Sequence, residues 1–296
     1  MILTNLDGGL GNQFFQLAVS IWASHRTGAK CKFTIDSYEY RSKRNFLLNK
    51  ILSEPVEIAN VSDIKNHFSG LSFNFKYRRL LMSDYLRFIR PNFFVKEDNL
   101  DDIKTIYKNY KKIYMHGYWQ NNEYIKDSIK IIQKKIKDTS RFEEQIFNNL
   151  SQVKNSKVSV SVHVRRGDYL NSRMFGLRKS MYHTCDINYY KSAIGYMQQF
   201  FPEADFYFFS DDHDWLVKHL IPESKNFFTF PNDESDHAID DFILMKECNH
   251  HIIANSTYSW WAASLNSFHE KKVVAPKKWF SNSNESIYLP ENWVQI

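Results

Sequence analysis

The sequence predicts an α/β protein built from two domains, each with parallel strands that alternate with helices. Its 296 residues allow two domains of about 150 residues each. A strand, a turn, a helix and a second strand follow one another in residues 1–36, and the same alternation resumes after the polar stretch 151–157. Strands alternating with helices indicate parallel sheets. We therefore expect an N-terminal domain at residues 1–150 and a C-terminal domain at residues 151–296.

In the first domain, a glycine-rich turn at residues 7–12 separates a short strand from a helix. Apolar residues at helical spacing predict that helix, and Gly28 fits its end, because glycine readily adopts the left-handed conformation found there. The elements expected in this half are a strand at 2–5, a helix from about Gln13, a strand at 32–36 and a polar, lysine-rich helix at 125–149.

The clearest element of the second domain is a strand in which four valines at 158–164 alternate with serine and histidine. The alternation continues to residue 275. The further strands are expected at 205–209, 251–254 and 273–275, and the helices at 188–200, 214–220, 238–248 and 260–266.

Composition excludes several classes of protein. Three cysteines without metal-site spacing argue against a disulfide framework or a zinc knuckle. The N-terminus resembles no secretory signal, and no apolar run is long enough for a membrane span, so we expect a cytoplasmic protein. Aromatic residues make up 16% of the chain and the net charge is +6, which favours sugars and anionic ligands without identifying one.

Polar residues follow three strands of the predicted second sheet, and ligands of open parallel sheets bind beyond the carboxyl ends of the strands. The sets are 165–168 (Arg-Arg-Gly-Asp), 210–212 (Ser-Asp-Asp) and 255–259 (Asn-Ser-Thr-Tyr-Ser). Guanidinium groups suit phosphate oxygens, and a hydroxyl-rich helix start offers N–H groups to an anion. Each set alone has an ordinary structural explanation, such as helix capping. Their shared position at one sheet edge predicts a nucleoside diphosphate site.

One of these sets resembles a family motif. His163-Val-Arg165-Arg166-Gly-Asp168-Tyr169 is similar to the HxRRxDY motif of the α1,2-fucosyltransferases of glycosyltransferase family 11. Further segments resemble the family in the same order along nearly the whole chain. They are 8–16 (GGLGNQFFQ), 117–120 (GYWQ), 209–212 (FSDD), 253–261 (IANSTYSWW) and 276–280 (PKKWF).

This resemblance implies a GT-B-like fold, with two Rossmann-like α/β domains and a cleft between them. It further implies an inverting transfer of L-fucose from GDP-fucose to O2 of a galactose-type acceptor, which could be lipid-linked and belong to O-antigen, capsule or a related glycan. No metal, cofactor or nucleic acid is expected. A close relative of GDP-fucose, such as GDP-colitose, stays open as donor.

The resemblance also implies roles for individual residues. Arg165 would bind the leaving diphosphate and stabilise its growing charge, Arg166 would support it, and His163 and Asp168 would order the strand end. Further donor contacts would come from Ser210, Asp211 and Asp212 (ribose or guanine), from Asn255, Ser256, Thr257 and Ser259 (phosphates), and from Gly9, Gly11, Asn12 and Gln13 (the first-domain wall of the cleft). Asp168, Asn12 and Asp7 are candidates for the general base that inversion needs, and the sequence does not choose among them.

Three other hypotheses come from single patterns. Asp212-His213-Asp214 reads as a DxD metal motif, although a helix N-cap explains it as well. Gly9-Leu-Gly11 is typical of dinucleotide-binding turns, but Phe14 occupies the third glycine position. The basic, aromatic stretch 76–96 could contact a membrane surface or a glycan, and we expect at most a peripheral contact with the inner membrane.

Overall fold

The computed structural model describes residues 1–40, 44–68, 74–97, 103–138, 144–167, 183–221, 227–229, 238–280 and 287–296. Asp168, a candidate catalytic residue, lies outside them. The chain divides into two compact units, Met1–Ile136 and Lys137–Ile296, and each contains a parallel sheet. The division precedes the boundary expected at residues 150 and 151, which falls inside a helix of the second unit.

The first unit contains a four-stranded sheet with the order β2-β1-β4-β3. Its strands are β1 (Ile2–Asn5), β2 (Cys31–Thr34), β3 (Phe94–Val95) and β4 (Ile113–Met115). Its helices are α1 (Leu10–Thr27), α2 (Asp36–Tyr40), α3 (Leu48–Ile51), α4 (Val61–His67), α5 (Phe75–Met82), a 3₁₀ turn (Asp84–Ile89), α6 (Ile103–Tyr110) and α7 (Asn122–Lys135).

Helix α1 begins and ends at glycines, as the sequence predicts for its end. Gly9 is its N-cap, and Gly28 is its C-cap with φ +67°, donating its N–H to the carbonyl of Ser24. Gly8 has φ +81°, a left-handed conformation that other residues adopt only with strain, and it turns the chain from β1 into α1. The turn therefore presents the start of α1 at the carboxyl end of β1.

The second unit contains a six-stranded sheet with the order β10-β9-β8-β5-β6-β7. Its strands are β5 (Ser159–Val164), β6 (Asp205–Ser210), β7 (Phe227–Thr229), β8 (His250–Ile252), β9 (Val273–Ala275) and β10 (Val294–Gln295). Its helices are α8 (Glu144–Asn155), α9 (Ile187–Phe200), α10 (His213–His219), α11 (Ala238–Glu247) and α12 (Thr257–Leu265).

Strand β5 lies in the interior of this sheet and is buried along its whole length. Val160, Val162 and Val164 belong to the apolar core on one face, whereas Ser161 and His163 are buried on the other. Burial on both faces is typical of a parallel sheet covered by helices. Because the strand itself is buried, the residues that follow its carboxyl end are the first to reach solvent.

The polar region before β5 differs from its prediction. The single helix expected at 125–149 is two helices, α7 and α8, and the segment 151–157 expected to be a linker continues α8 to Asn155. Helix α8 packs against α11, so it groups with the second unit. The lysines and asparagines that look like a linker in the sequence face solvent on this amphipathic helix.

Candidate active site at the carboxyl edge of the second sheet

Two strand ends meet because β5 and β6 pair in parallel. Their register places Val164 opposite Ser210, so the next residues of the two strands, Arg165 and Asp211, are neighbours. Nη1 of Arg165 lies 3.0 Å from Oδ2 of Asp211. The side chain of Arg165 is 20% exposed, so this guanidinium is held in place and still reaches the surface.

The second arginine forms its own pair. Nε of Arg166 lies 3.4 Å from Oδ2 of Asp212, and its backbone N–H donates to Oδ1 of Asp211 at 2.8 Å. We expected Ser210, Asp211 and Asp212 to face ribose or guanine. Those ligand contacts stay a prediction; within the chain, the two carboxylates contact the arginines, and Oγ of Ser210 accepts the N–H of Asp212 at 3.0 Å. In the chain itself these residues order the arginine pair.

Trp215 completes the surroundings of Arg166. The guanidinium carbon of Arg166 lies 3.9 Å from the centre of the Trp215 ring, a cation–π contact. Asp212 caps helix α10 by accepting the N–H of Trp215 at 3.2 Å. The cap, the ion pair and the ring contact thus join Arg166, Asp212 and Trp215 to one another. Sequence reasoning missed Trp215, although its place in the first turn after the Asp pair was a usable signal.

His163 connects β5 to the first turn of α12. Its Nδ1 lies 2.8 Å from Oγ of Ser259, and both side chains are buried. Burial, and next the positive charge of Arg165, lower the pKa of His163 to about 3. The ring is therefore neutral near pH 7, and it adds no positive charge to the arginine cluster.

This neutral histidine predicts a loss of stability in acid. The unfolded chain binds a proton at His163 with a pKa near 6.5, whereas the folded chain does so only near 3. The contribution of His163 to the free energy of unfolding is therefore fully present above pH 6.5. It falls as the pH falls towards 3, by up to about 1.4 kcal/mol per pH unit. Thermal melts between pH 7 and 5 should show this slope, and a smaller one in His163→Gln. Equal slopes would contradict the prediction.

The start of α12 contains the third polar set. Ser256 is its N-cap, and Oγ accepts the N–H of Tyr258 at 3.4 Å. Asn255 is fully buried, and its amide donates to the carbonyls of His183 and Trp279. Among Asn255, Ser256, Thr257 and Ser259, only Thr257 has a side chain that is not buried. Of the four residues expected to contact phosphate here, Thr257 is therefore the one that is partly exposed.

Gly167 allows the close approach of Asp211. A Cβ on Gly167 would lie 3.1 Å from Oδ2 and 3.2 Å from the carbonyl oxygen of Asp211. Gly167→Ala should therefore displace Asp211 and loosen its pair with Arg165, weakening the affinity for GDP, the ligand expected from the sequence, by about tenfold, or about 1.4 kcal/mol. Calorimetric titration with GDP measures this. An unchanged affinity would show that the pair does not organise the site.

The first unit has a polar edge of its own, centred on Gln13. This side chain is fully buried. Its amide donates to the carbonyls of Gly8 at 3.1 Å and Asn45 at 2.9 Å, and its Oε1 accepts the N–H groups of Leu47 and Leu48. The contact of Gln13 with the donor stays a prediction. Within the chain, its polar atoms bind backbone groups, which gives Gln13 a structural role beside the glycine-rich turn.

Asn12 and the residues that follow the strands of this unit are more accessible. Oδ1 of Asn12 accepts from Gln120 at 3.4 Å. Gly9 has open space where a Cβ would stand, whereas Gly11 is buried within α1. Glu97, after β3, accepts the N–H groups of Tyr118 and Trp119.

His116 follows β4 and lies beside β1. Its Nδ1 is 3.4 Å from Nδ2 of Asn5. The carboxyl edge of the first sheet thus carries His116 and Glu97 besides Asp7, which sequence reasoning named. Sequence reasoning missed both, because it predicted neither β3 nor β4, the strands that these residues follow.

Within the described ranges, no group of three or more His, Cys, Asp or Glu side chains lies in position to hold a metal ion. Nor does any helix there have the length and apolar character needed to cross a membrane.

Comparison with known proteins gives the family. The model of glycosyl transferase family 11 matches residues 1–296. The O-antigen biosynthesis glycosyltransferase WbnK of Escherichia coli is 29% identical, over 98% of this chain and 99% of its own. An α1,2-colitosyltransferase of Escherichia coli is 29% identical, over 100% of this chain and 99% of its own. The mouse galactoside 2-α-L-fucosyltransferase Sec1 is 31% identical over 54% of this chain and 44% of its own.

The fold has solved counterparts. The fucosyltransferase NodZ from Bradyrhizobium matches with a TM-score of 0.55 at 17% identity, over 88% of this chain and 90% of its own. The prediction of a GT-B-like fold of Rossmann-like α/β domains is confirmed. The match of the family model along the whole sequence likewise confirms the resemblance read from the motifs. The chain belongs to glycosyltransferase family 11.

Proposed function

We propose that this glycosyltransferase transfers L-fucose from GDP-β-L-fucose to O2 of a galactose-type acceptor, with inversion at the anomeric carbon. The observation that supports it most is the arginine cluster. Arg165 and Arg166, fixed by Asp211, Asp212 and Trp215, follow the buried strand β5 at the edge where α12 begins. Guanidinium groups and a helix N-terminus together suit a diphosphate.

Arg165 is proposed to stabilise the leaving group. As the bond between fucose and the β-phosphate breaks, negative charge grows on the phosphate oxygens, and a guanidinium already in place stabilises that charge more than the ground state. The pair with Asp211 holds Arg165 before the donor arrives, so little reorganisation is needed in the transition state. Arg166 and Thr257 are proposed to contact the same diphosphate.

The general base stays a choice among Asp7, Asn12 and Asp168. Of the two carboxylates in this set, the structure describes Asp7. Its Oδ1 accepts the N–H of Gly8 at 2.8 Å. A kcat that falls at least a hundredfold in Asp7→Asn, without a change in GDP affinity, would identify it. A kcat within a few-fold of the parent would leave Asp168 and Asn12.

The donor needs a direct test, because one relative is named a colitosyltransferase. Each donor, GDP-fucose or GDP-colitose, is assayed with a soluble β-galactoside. GDP release then gives kcat/KM for the two donors. We expect GDP-fucose to be preferred and NMR of the product to show an α1,2 linkage. A preference for GDP-colitose would favour the second candidate function. A linkage to another hydroxyl would contradict the proposal.

We also propose that the reaction needs no metal ion, since the two arginines can supply the positive charge that a metal would bring to the diphosphate. Turnover should be unchanged in excess EDTA and unaffected by added Mg²⁺ or Mn²⁺. Loss of turnover with EDTA, restored by either ion, would instead support the DxD hypothesis at Asp212 and Asp214.

The name of WbnK supports a glycan of the O-antigen type as the acceptor. A series of galactosides of growing length tests it. We expect kcat/KM to rise when the galactose carries further O-antigen sugars, and equal values along the series would count against an extended acceptor.

A further inference from the structure

The first unit exposes an apolar and basic surface that its core does not use. It lies on two consecutive elements, α5 and the 3₁₀ turn, which are separated by Ser83 and packed against each other. We call it the docking patch; its members are Lys76, Tyr77, Arg79, Leu80, Tyr85, Arg87, Phe88 and Ile89. Tyr85 is 94% exposed and Phe88 78% exposed. Large rings at this exposure cost solubility unless something covers them.

The helix below the patch is firmly anchored. Arg78, on the opposite face of α5, is fully buried, and its Nη2 lies 2.7 Å from Oδ2 of Asp36. Its guanidinium also lies over the rings of Phe68, Phe75 and Tyr114. The contacts of Arg78 thus fix the buried face of α5 against the core. The opposite face of the helix points to solvent.

The 3₁₀ turn is held at its two ends and buries none of its side chains. Arg90 donates to the carbonyls of Leu81 and Ser83 and to the carboxylate of Asp84, and Lys96 also pairs with Asp84. Leu86, between Tyr85 and Phe88, has a non-helical conformation (φ −107°, ψ 23°), so regular 3₁₀ spacing does not set the relative direction of the two rings; both are exposed. The turn therefore presents two exposed rings on a base that is held at both ends.

The positive charge of the patch favours an anionic partner. Lys76, Arg79 and Arg87 are exposed among the rings. Asp84 is the one acidic residue in 75–89. Lys96, and next Arg90, lower the pKa of Asp84 to about 2, so its charge is balanced by those partners. The net field is positive, which a second copy of the same patch would repel and an anionic surface would attract.

We propose that the docking patch binds the surface of an anionic lipid bilayer, with Tyr85 and Phe88 inserted among the headgroups and Lys76, Arg79 and Arg87 on the lipid phosphates. Aromatic rings favour the interface of a bilayer, and each basic side chain near an anionic surface strengthens binding about fivefold. Tyr40 borders the patch, since its ring stacks on that of Phe75. The positive surface ends at the neighbouring residue Glu39, which is an exposed acid. The proposal does not depend on the donor or acceptor proposed above.

Co-sedimentation of the full chain with lipid vesicles tests this at low salt. We expect binding to vesicles of phosphatidylglycerol mixed with phosphatidylcholine, and little binding to phosphatidylcholine alone. Tyr85→Ser with Phe88→Ser should weaken binding at least about tenfold. Arg79→Gln with Arg87→Gln should weaken it by about 25-fold and reduce its salt dependence.

Matched variants elsewhere separate the patch from general effects. Phe147→Ser removes an exposed ring of α8, and Lys126→Gln with Lys130→Gln removes two exposed charges of α7. These controls should bind like the parent. Thermal melts and turnover with a soluble acceptor should be unchanged in all four variants, so a failed fucosyltransferase assay and a failed lipid assay are separate results.

Three outcomes of the lipid assay would overturn the proposal. They are no binding to anionic vesicles at low salt, equal binding to both kinds of vesicle, and binding that the controls reduce as much as the patch variants do. A dimer in solution that Tyr85→Ser with Phe88→Ser dissociates would show that a second copy covers the patch instead.

Discussion

Arg165→Ala is expected to lower turnover by about a hundredfold to a thousandfold, or about 2.7–4 kcal/mol in the transition state, by analogy with the loss of one oxyanion donor. The reason is that Arg165 directly follows the buried strand β5, is held in place by Asp211 and keeps a side chain that is 20% exposed. Steady-state kinetics with saturating GDP-fucose measures the change. The loss should lie mainly in kcat, because the charge it stabilises grows in the transition state.

Two variants control this result. Arg165→Lys keeps the charge but not the planar fork, so it should recover part of the rate. Asp211→Asn removes the partner of Arg165 without removing the arginine, and it should cost less than Arg165→Ala. Near-normal turnover in Arg165→Ala would remove the central step of the proposed mechanism. A loss seen only in KM would assign Arg165 to ground-state binding.

The sequence predicts the sheet edges well because parallel strands and their following residues obey strong local rules. The alternating valines around Val162 specify a buried strand, and the register of that strand with β6 then brings Arg165 next to Asp211. The glycines at both ends of α1 are likewise local signals. The strand and the helix ends are set by nearby residues, and the meeting of the two strand ends follows from the general rule for parallel sheets, which is why the sequence alone predicts them.

The partners of polar side chains are harder to predict. Gln13 and Asn255 belong to motifs that resemble ligand-binding segments, yet both side chains are buried and bind backbone groups. An amide N–H can donate to a phosphate, a sugar or the chain, and an amide oxygen can accept from a sugar or the chain. Which of these it contacts depends on segments far away in sequence, such as residues 45–48 for Gln13.

Gln13→Ala is expected to destabilise the protein by about 2–6 kcal/mol and to leave GDP affinity unchanged. Removing the amide leaves the buried N–H groups of Leu47 and Leu48 without their acceptor. A buried donor that loses its partner costs about 1–3 kcal/mol. Urea unfolding followed by circular dichroism measures the free energy, and GDP titration of the folded variant at low temperature measures the affinity.

Gln199→Ala is the matched control, because Gln199 is an exposed glutamine on helix α9. It should change the free energy of unfolding by less than about 0.5 kcal/mol. The two measurements on Gln13→Ala separate structure from binding. A stable variant with weakened GDP binding would return Gln13 to the donor site that its motif suggested. A destabilised variant with normal binding would instead show that a buried amide, rather than a ligand, accounts for glutamine at this position of the motif.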